Sequence, residues 1–103
     1  MREVYLELSR ALAGGTAVVL ASVTATKGST PRKAGAKMLI FGDGHLEGTI
    51  GGGCGEAEVW QAAMEVLQEG QPRMVTVDLT EDVEGEDKIC GGVMEVFVEP
   101  FRE

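Results

Sequence analysis

The residues with the clearest chemical potential are three glycines followed by a cysteine, Gly51-Gly52-Gly53-Cys54. Without Cβ atoms, this backbone can adopt positive φ and approach a ligand closely. Apolar residues recur at helical spacing from Glu56 onward, so Cys54 is predicted at or next to a helix N-terminus. Free N–H groups and the helix dipole there favour anions, and they stabilise a thiolate that can act as a nucleophile or soft ligand. The alternative is a tight turn in which Cys54 is a small buried hydrophobe.

A basic segment at residues 27–35 is the second candidate, in a chain whose formal net charge is −8. Its glycines, proline and hydroxyl residues predict a loop. One interpretation is an anion clamp, in which the Arg32 guanidinium makes a bidentate contact with a phosphate and Ser29 or Thr30 donates a hydrogen bond. The other is a solvated loop whose cations offset neighbouring acids.

The second cysteine, Cys90, also lies in a glycine turn, 36 positions from Cys54. This spacing fits neither a zinc finger nor a thioredoxin-type motif, and two thiols are expected rather than a disulfide. His45, the only histidine, is predicted at a solvated turn and is given no role. The acidic segment 80–88 is interpreted as a solvated face, because it lacks the ligand spacing of a calcium loop.

The elements that must position these residues follow from periodicity and from glycine and proline. Helices are predicted over residues 1–13 and 56–69, and strands over residues 16–26, 36–41, 46–50, 73–79 and 93–99, the last ending at Pro100. The first strand is expected to have both faces covered. The predicted inner face of the first helix is Val4, Tyr5, Leu8, Ala11 and Leu12, and that of the second is Ala57, Trp60, Ala63, Met64 and Leu67.

This element order predicts one α/β domain over residues 1–103, a single mixed sheet of about five strands with two main helices packed on it. The glycine-rich segments then follow strand ends, and a pocket is expected where they converge. The acidic charge argues against nucleic acid as a partner, and neither a membrane span nor a secretory signal is found, so a cytoplasmic protein is expected. Unprotected sheet edges predict a homodimer.

Several short motifs along the chain, taken in order, are specific enough to indicate a family. They are Gly28-Ser29-Thr30-Pro31-Arg32, Gly35-Ala36-Lys37-Met38, Gly48-Thr49-Ile50-Gly51-Gly52-Gly53-Cys54 with Glu56 and Glu58, Cys90-Gly91-Gly92, and Glu95-Val96-Phe97-Val98-Glu99-Pro100. In this order the set resembles the N-terminal domain of the xanthine dehydrogenase accessory protein family (XdhC/CoxI type), over nearly the whole chain.

The resemblance implies a factor that binds the molybdenum cofactor (molybdopterin) and delivers it to an apoenzyme of the xanthine dehydrogenase or carbon monoxide dehydrogenase class. It makes Cys54 the candidate metal ligand or cofactor-contacting thiol. The other implied cofactor-binding residues are Gly51, Gly52, Gly53, Ser29, Thr30, Arg32, Glu56 and, as a weaker candidate for a second thiol, Cys90.

Many members of the family carry a C-terminal Rossmann-like domain, whereas this sequence stops at Glu103. Either a stand-alone version or a separate Rossmann-domain partner chain is expected. A non-enzymatic accessory role is favoured. The alternatives are a sulfur-transfer enzyme with Cys54 as nucleophile, which lacks an obvious base, and a scaffold that only docks the apoenzyme or a Rossmann-domain partner.

Overall fold

Two helices and five strands follow one another in the predicted order. The computed structural model describes residues 2–28, 34–48, 55–78 and 92–101. The elements are α1 (Arg2–Ala13), β1 (Val18–Gly28), β2 (Lys37–Phe41), β3 (Leu46–Gly48), α2 (Glu56–Glu69), β4 (Arg73–Asp78) and β5 (Gly92–Phe101). The α/β architecture of five strands with two helices packed on the sheet is therefore confirmed.

The five strands form one sheet in the order β3-β2-β1-β5-β4, with β1 at its centre. All four pairings in the described residues are antiparallel, so the sheet is antiparallel where a mixed one was expected. The reason lies in the β3–α2–β4 connection. Both of its strands run in the same direction, but they occupy opposite edges of the sheet, so this crossover creates no parallel neighbours.

One helix covers each face of the sheet. The α1 face is held by a cluster of buried apolar side chains: Val4, Leu8, Val18, Leu20, Leu39 and Phe41. The larger cluster under α2 contains Val19, Ala21, Val23, Met38, Ile40, Val59, Ala63, Val66, Val77, Met94, Val96 and Val98. Because alternate residues of β1 and β2 belong to different clusters, both strands are buried on two sides, which explains their nearly continuous apolar sequence.

The prediction that β1 is covered on both faces holds only for its first half. Residues 18–23 are buried, whereas residues 24–28 are exposed. The pairing with β5 shifts register between Val23 and Ala25, as in a β-bulge. Beyond the bulge, β1 has β5 as its one described neighbour, since its pairing with β2 ends at Ser22 opposite Lys37.

Two predicted helix faces were wrong in part. Tyr5 is 50% exposed, although Val4 and Leu8 are buried as expected. In α2 the buried residues are Val59, Ala62, Ala63 and Val66, while Trp60 is 38% exposed. The α2 sequence carries two apolar stripes, and the one with smaller side chains faces the sheet because it permits a closer approach. Trp60 instead lies at the flank, where its Nε1 donates to the Gly44 carbonyl at 3.1 Å.

The last strand continues through Pro100 to Phe101, so its predicted end at Pro100 was wrong. β4 begins at Arg73, opposite Val98, and past that point β5 pairs with β1 alone. A proline is tolerated in a strand that has one open side, because no ladder hydrogen bond is lost there. The predicted alternation is confirmed, with Met94, Val96 and Val98 all buried.

Candidate functional site

Apart from Glu56, the predicted site residues belong to three segments, 29–33, 49–54 and 79–91, whose described borders lie at the same end of the sheet. We call this the loop end and define it by the described strand ends Gly28, Lys37, Gly48, Asp78 and Gly92. Gly28 pairs with Gly92, Asp78 with Val93, and Gly48 with Met38. These pairings bring the borders of the three segments to one end of the sheet, as the convergence hypothesis requires.

All but one of the predicted site residues lie outside the described residues. They are Ser29, Thr30, Arg32, Gly51, Gly52, Gly53, Cys54 and Cys90. Their roles therefore stay predictions. The acidic segment 80–88 also lies outside the described part of the chain.

Glu56 is the predicted site residue that the structure describes, and it opens α2. It is half-buried, and Glu58 follows in the same helical turn. Carboxylates in a first turn interact favourably with the positive end of the helix dipole. The predicted start of a helix at Glu56, two positions after Cys54 in the sequence, is confirmed.

Gly55 and Gly48 border the segment of Cys54, and packing explains both glycines. Gly55 has φ 77°, and a Cβ at this position would lie 2.4 Å from Val77 Cγ1. Gly48 has φ 82°, and a Cβ there would lie 2.8 Å from the Lys37 carbonyl oxygen and 3.2 Å from Val4 Cγ2. The two glycines therefore let α2 approach β4 and let β3 approach β2 and α1.

The ammonium of Lys37 is a further polar group at the loop end. Its Nζ donates to Ser22 Oγ at 3.0 Å and lies 5.8 Å from the centroid of the Tyr5 ring. Sequence reasoning assigned no role to Lys37. Its contact with Ser22 depends on the register that pairs β1 with β2, and no local sequence signal reports that register.

Both helices begin near the loop end. Val4, in the first turn of α1, lies beside Gly48, and Gly55, just before α2, lies beside Val77. Each helix contributes a partial positive charge at its N-terminus, which favours an anion. At the loop end, the α1 N-terminus and the Lys37 ammonium therefore lie on one face of the sheet, and the α2 N-terminus lies on the other.

The turn between β2 and β3, at the other end of these strands, has different chemistry. The His45 ring stacks on Phe41 with centroids 4.2 Å apart, and its two nitrogens lie 3.3 Å from Asp43 Oδ1 and Glu47 Oε1. The backbone N–H of His45 donates to Asp43 at 3.0 Å, and this hydrogen bond lowers the pKa of that carboxyl. The His45 side chain is 51% exposed, in agreement with a turn residue that lies in solvent.

Two further features of the described residues limit the candidate chemistry. Arg73 bridges Glu65 at 2.6 Å and Glu69 at 3.3 Å, which joins β4 to the last turns of α2.

Within the described ranges, no group of three histidine, cysteine or carboxylate side chains is arranged to hold a metal ion. The described residues of the loop end therefore do not form a metal site by themselves.

The fold and the loop end define a class: a small α/β domain whose antiparallel sheet presents glycine-rich segments at one end. Residues 11–78 match the XdhC and CoxI family, which is more than half of the chain. The chain belongs to this family. The matched range contains every predicted site residue except Cys90.

The proteins similar to this chain include three curated relatives and a solved structure. Protein YqeB of Escherichia coli K12 is 40% identical over 77% of the chain and 15% of its own length. The molybdenum cofactor insertion chaperone PaoD of the same organism is 34% identical over 63% of the chain and 20% of its own length. A protein of Bacillus subtilis named as a probable xanthine dehydrogenase component is 30% identical over 82% of the chain and 27% of its own length.

The solved structure is that of a xanthine dehydrogenase from Bacillus halodurans, with a TM-score of 0.80 and 37% sequence identity over 92% of this chain. The alignment covers 30% of that structure's chain. The chain thus spans less than a third of the length of each of these proteins. In the described part of the chain, neither helix has the length and apolar content needed to cross a membrane.

Proposed function

We propose that this chain binds the molybdenum cofactor (molybdopterin) and takes part in the maturation of a molybdenum hydroxylase of the xanthine dehydrogenase or carbon monoxide dehydrogenase class. The observation that carries the proposal is the family match over residues 11–78, which spans Cys54 and the basic segment. A relative named as a molybdenum cofactor insertion chaperone supports the same role.

The chemistry of the loop end supports an anionic ligand of this kind. The cofactor supplies a terminal phosphate and a dithiolene-bound metal. The N-terminus of α1 and the Lys37 ammonium, which lie on the same side of the sheet, suit the phosphate, because each favours negative charge. In this proposal, Cys54 provides a soft sulfur contact to the metal.

The remaining predicted residues complete the proposed site. The glycines at 51–53 would donate backbone N–H groups, and Arg32 with Ser29 and Thr30 would bind from the other side. Glu56 would adjoin the ligand at the start of α2, and Cys90 would supply a second thiol. In this proposal, residues 1–103 form the cofactor-binding domain.

The proposed role is binding and delivery rather than catalysis. A cysteine nucleophile needs an activating base, and the chain's only histidine lies in the turn between β2 and β3, between Asp43 and Glu47. Among the described residues, the loop end therefore has no histidine that could activate Cys54. Sulfur transfer by this chain has less support than cofactor binding.

The proposed partners are a molybdenum hydroxylase apoenzyme and a separate Rossmann-domain chain, acting in the cytoplasm. The matched relatives are several times longer than this chain, which is compatible with further domains in the working assembly. Mixing the purified chain with xanthine dehydrogenase apoenzyme should give a complex by gel filtration. A complex that forms equally well without cofactor and with Cys54→Ser would favour the docking scaffold.

The proposal is tested by titrating the purified chain with molybdenum cofactor under anaerobic conditions, using cofactor absorbance and intrinsic fluorescence. We expect saturable binding by the wild type and about tenfold weaker affinity in Cys54→Ser, because a sulfur contact to the metal is lost. Cys90→Ser serves as the matched thiol control and should lose less. Equal affinities for wild type and Cys54→Ser would remove the thiol from the site, and no binding by the wild type would refute the proposal.

A further inference from the structure

Lys37, the first residue of β2, is a half-buried lysine whose side chain lies against α1. Its side chain lies on the α1 side of the sheet, the same side as Leu39 and Phe41, which α1 buries. Lys37 itself is half-buried beside the first turns of α1, where its Nζ lies over the Tyr5 ring at 5.8 Å. A cation within about 6 Å of an aromatic ring is attracted by the ring's electrons, so this contact helps to hold the ammonium in place.

Ser22 fixes the ammonium from the other side. It is the neighbour of Lys37 across the β1–β2 pairing, and its hydroxyl accepts a hydrogen bond from Nζ at 3.0 Å. Ser22 is 8% exposed and is the only buried polar side chain among the described residues. A buried hydroxyl costs free energy unless it makes a hydrogen bond. The hydrogen bond with Ser22 therefore restricts the conformation of the Lys37 side chain.

The charge of Lys37 is not neutralised in the described part of the chain. The other described ion pairs join Arg10 to Glu7, His45 to Asp43 and Glu47, and Arg73 to Glu65 and Glu69. Lys37 contacts a hydroxyl and an aromatic ring instead. In a chain with 17 acidic and 9 basic residues, a positioned cation without a described carboxylate partner is available to an external anion.

The position of Lys37 connects it to the proposed site. It begins β2, three residues after the described chain resumes at residue 34, and its carbonyl oxygen abuts Gly48, the last described residue before the segment of Cys54. The α1 N-terminus is on the same side of the sheet. The backbone of Lys37 therefore lies close to the borders of both the basic segment and the glycine-cysteine segment.

We infer that Lys37 binds the phosphate of the cofactor, with Ser22 and Tyr5 as positioning residues. The inference rests on the proposed function and assigns its phosphate-binding cation. An ammonium held by one hydroxyl and one ring keeps donors for a phosphate oxygen, and little side-chain entropy is lost on binding because the rotamer is already restricted.

The test compares cofactor affinity in three single variants and the wild type. Lys37→Met keeps the apolar stem beside Tyr5 and removes the charge, and we expect about tenfold weaker binding, as for a lost charged hydrogen bond. Ser22→Ala should give a smaller loss. Arg10→Met is the control, because it removes an exposed cation in the last turn of α1, away from the loop end, and it should change the affinity less than about threefold, as expected of a solvent-screened charge.

A second measurement uses inorganic phosphate and follows the wild type directly. The chain has one tyrosine, so its ring protons report on the surroundings of the Lys37 ammonium in NMR spectra. Phosphate should shift these signals saturably, and chloride at equal ionic strength should not. Lys37→Met, checked for folding by circular dichroism, should abolish the saturable shift.

The outcomes separate the two proposals. Absence of cofactor binding by the wild type contradicts the proposed function. Normal wild-type binding with unchanged affinity in Lys37→Met contradicts only the phosphate role. Equal losses in Lys37→Met and Arg10→Met show a general charge effect, and they also contradict the phosphate role. Should Lys37→Met fail to fold, an unshifted tyrosine ring in the phosphate titration decides against the inference.

Discussion

Individual side chains at the β2–β3 turn show how a short polar turn is stabilised. Asp43 accepts from the backbone N–H of His45, and the imidazole of His45 stacks on Phe41. The aspartate also contacts the imidazole at 3.3 Å. Because the backbone hydrogen bond stabilises the carboxylate, the pKa of Asp43 is lowered in the folded state. This turn was predicted from its glycines and aspartate, but its contacts with the histidine ring were not.

The lowered pKa of Asp43 gives a pH dependence with a defined sign. Ionised Asp43 stabilises the fold, so its contribution is present above the ordinary aspartate pKa of about 3.9 and is lost as the pH falls through the lowered value. We expect the wild type to lose more stability than Asp43→Asn below about pH 4. Urea unfolding of both proteins across this range measures the difference. If the stability of both proteins changes with pH in the same way, Asp43 does not contribute to the pH dependence of folding.

The two ends of α2 show how the same backbone conformation can have different packing consequences. Gly55 and Gly70 have φ 77° and 75°, both in the left-handed region. Gly70 ends the helix, and its N–H donates to the Val66 carbonyl at 2.8 Å. A Cβ at Gly70 would meet no atom within 4 Å, whereas one at Gly55 would collide with Val77. The start of α2 is therefore constrained by β4 as well as by its own backbone.

This difference predicts unequal costs for two matched substitutions. Gly70→Ala should destabilise the fold by about 1 kcal/mol, the cost of placing an L-residue at positive φ. Gly55→Ala carries the same cost and also a steric clash with Val77, which adds about 1–3 kcal/mol. Urea unfolding midpoints of the two variants measure the difference. Equal destabilisation would mean that Val77 moves away without cost.

The sheet as a whole presents two unequal edges. In the described part of the chain, β3 has three residues, whereas β4 has six, includes no proline, and carries Met74 at 51% exposure. A long regular edge invites pairing with another chain. The predicted homodimer would therefore form most readily through β4, which would extend the sheet from one copy into the next.

The dimer prediction is checked by light scattering at micromolar concentration. The wild type should have twice the mass of one chain, and Thr76→Lys, which places a charge on the exposed middle of β4, should be monomeric. Leu46→Lys places the same charge on the short β3 edge and should stay dimeric. A wild-type mass equal to that of one chain would remove the prediction.

Local patterns were sufficient to predict each helix and strand that the structure describes. The range of α2 agrees to the residue, since Gly70 supplies a helix end and apolar spacing starts after Glu56. The position of Cys54 next to a helix start follows from the same local signals. Periodicity and glycine or proline boundaries act over a few neighbouring residues, so the chain's own sequence contains them.

Strand order, register and the choice between two apolar helix stripes depended on contacts between distant residues. Trp60 and Val59 are both apolar neighbours in α2, and only packing against the sheet turned Val59 inward. Lys37 meets Ser22 because β1 and β2 pair in one register, and Pro100 is tolerated because β4 starts opposite Val98. These features arise from the free energy of packing and pairing summed over the whole domain, to which residues far apart in the sequence contribute together.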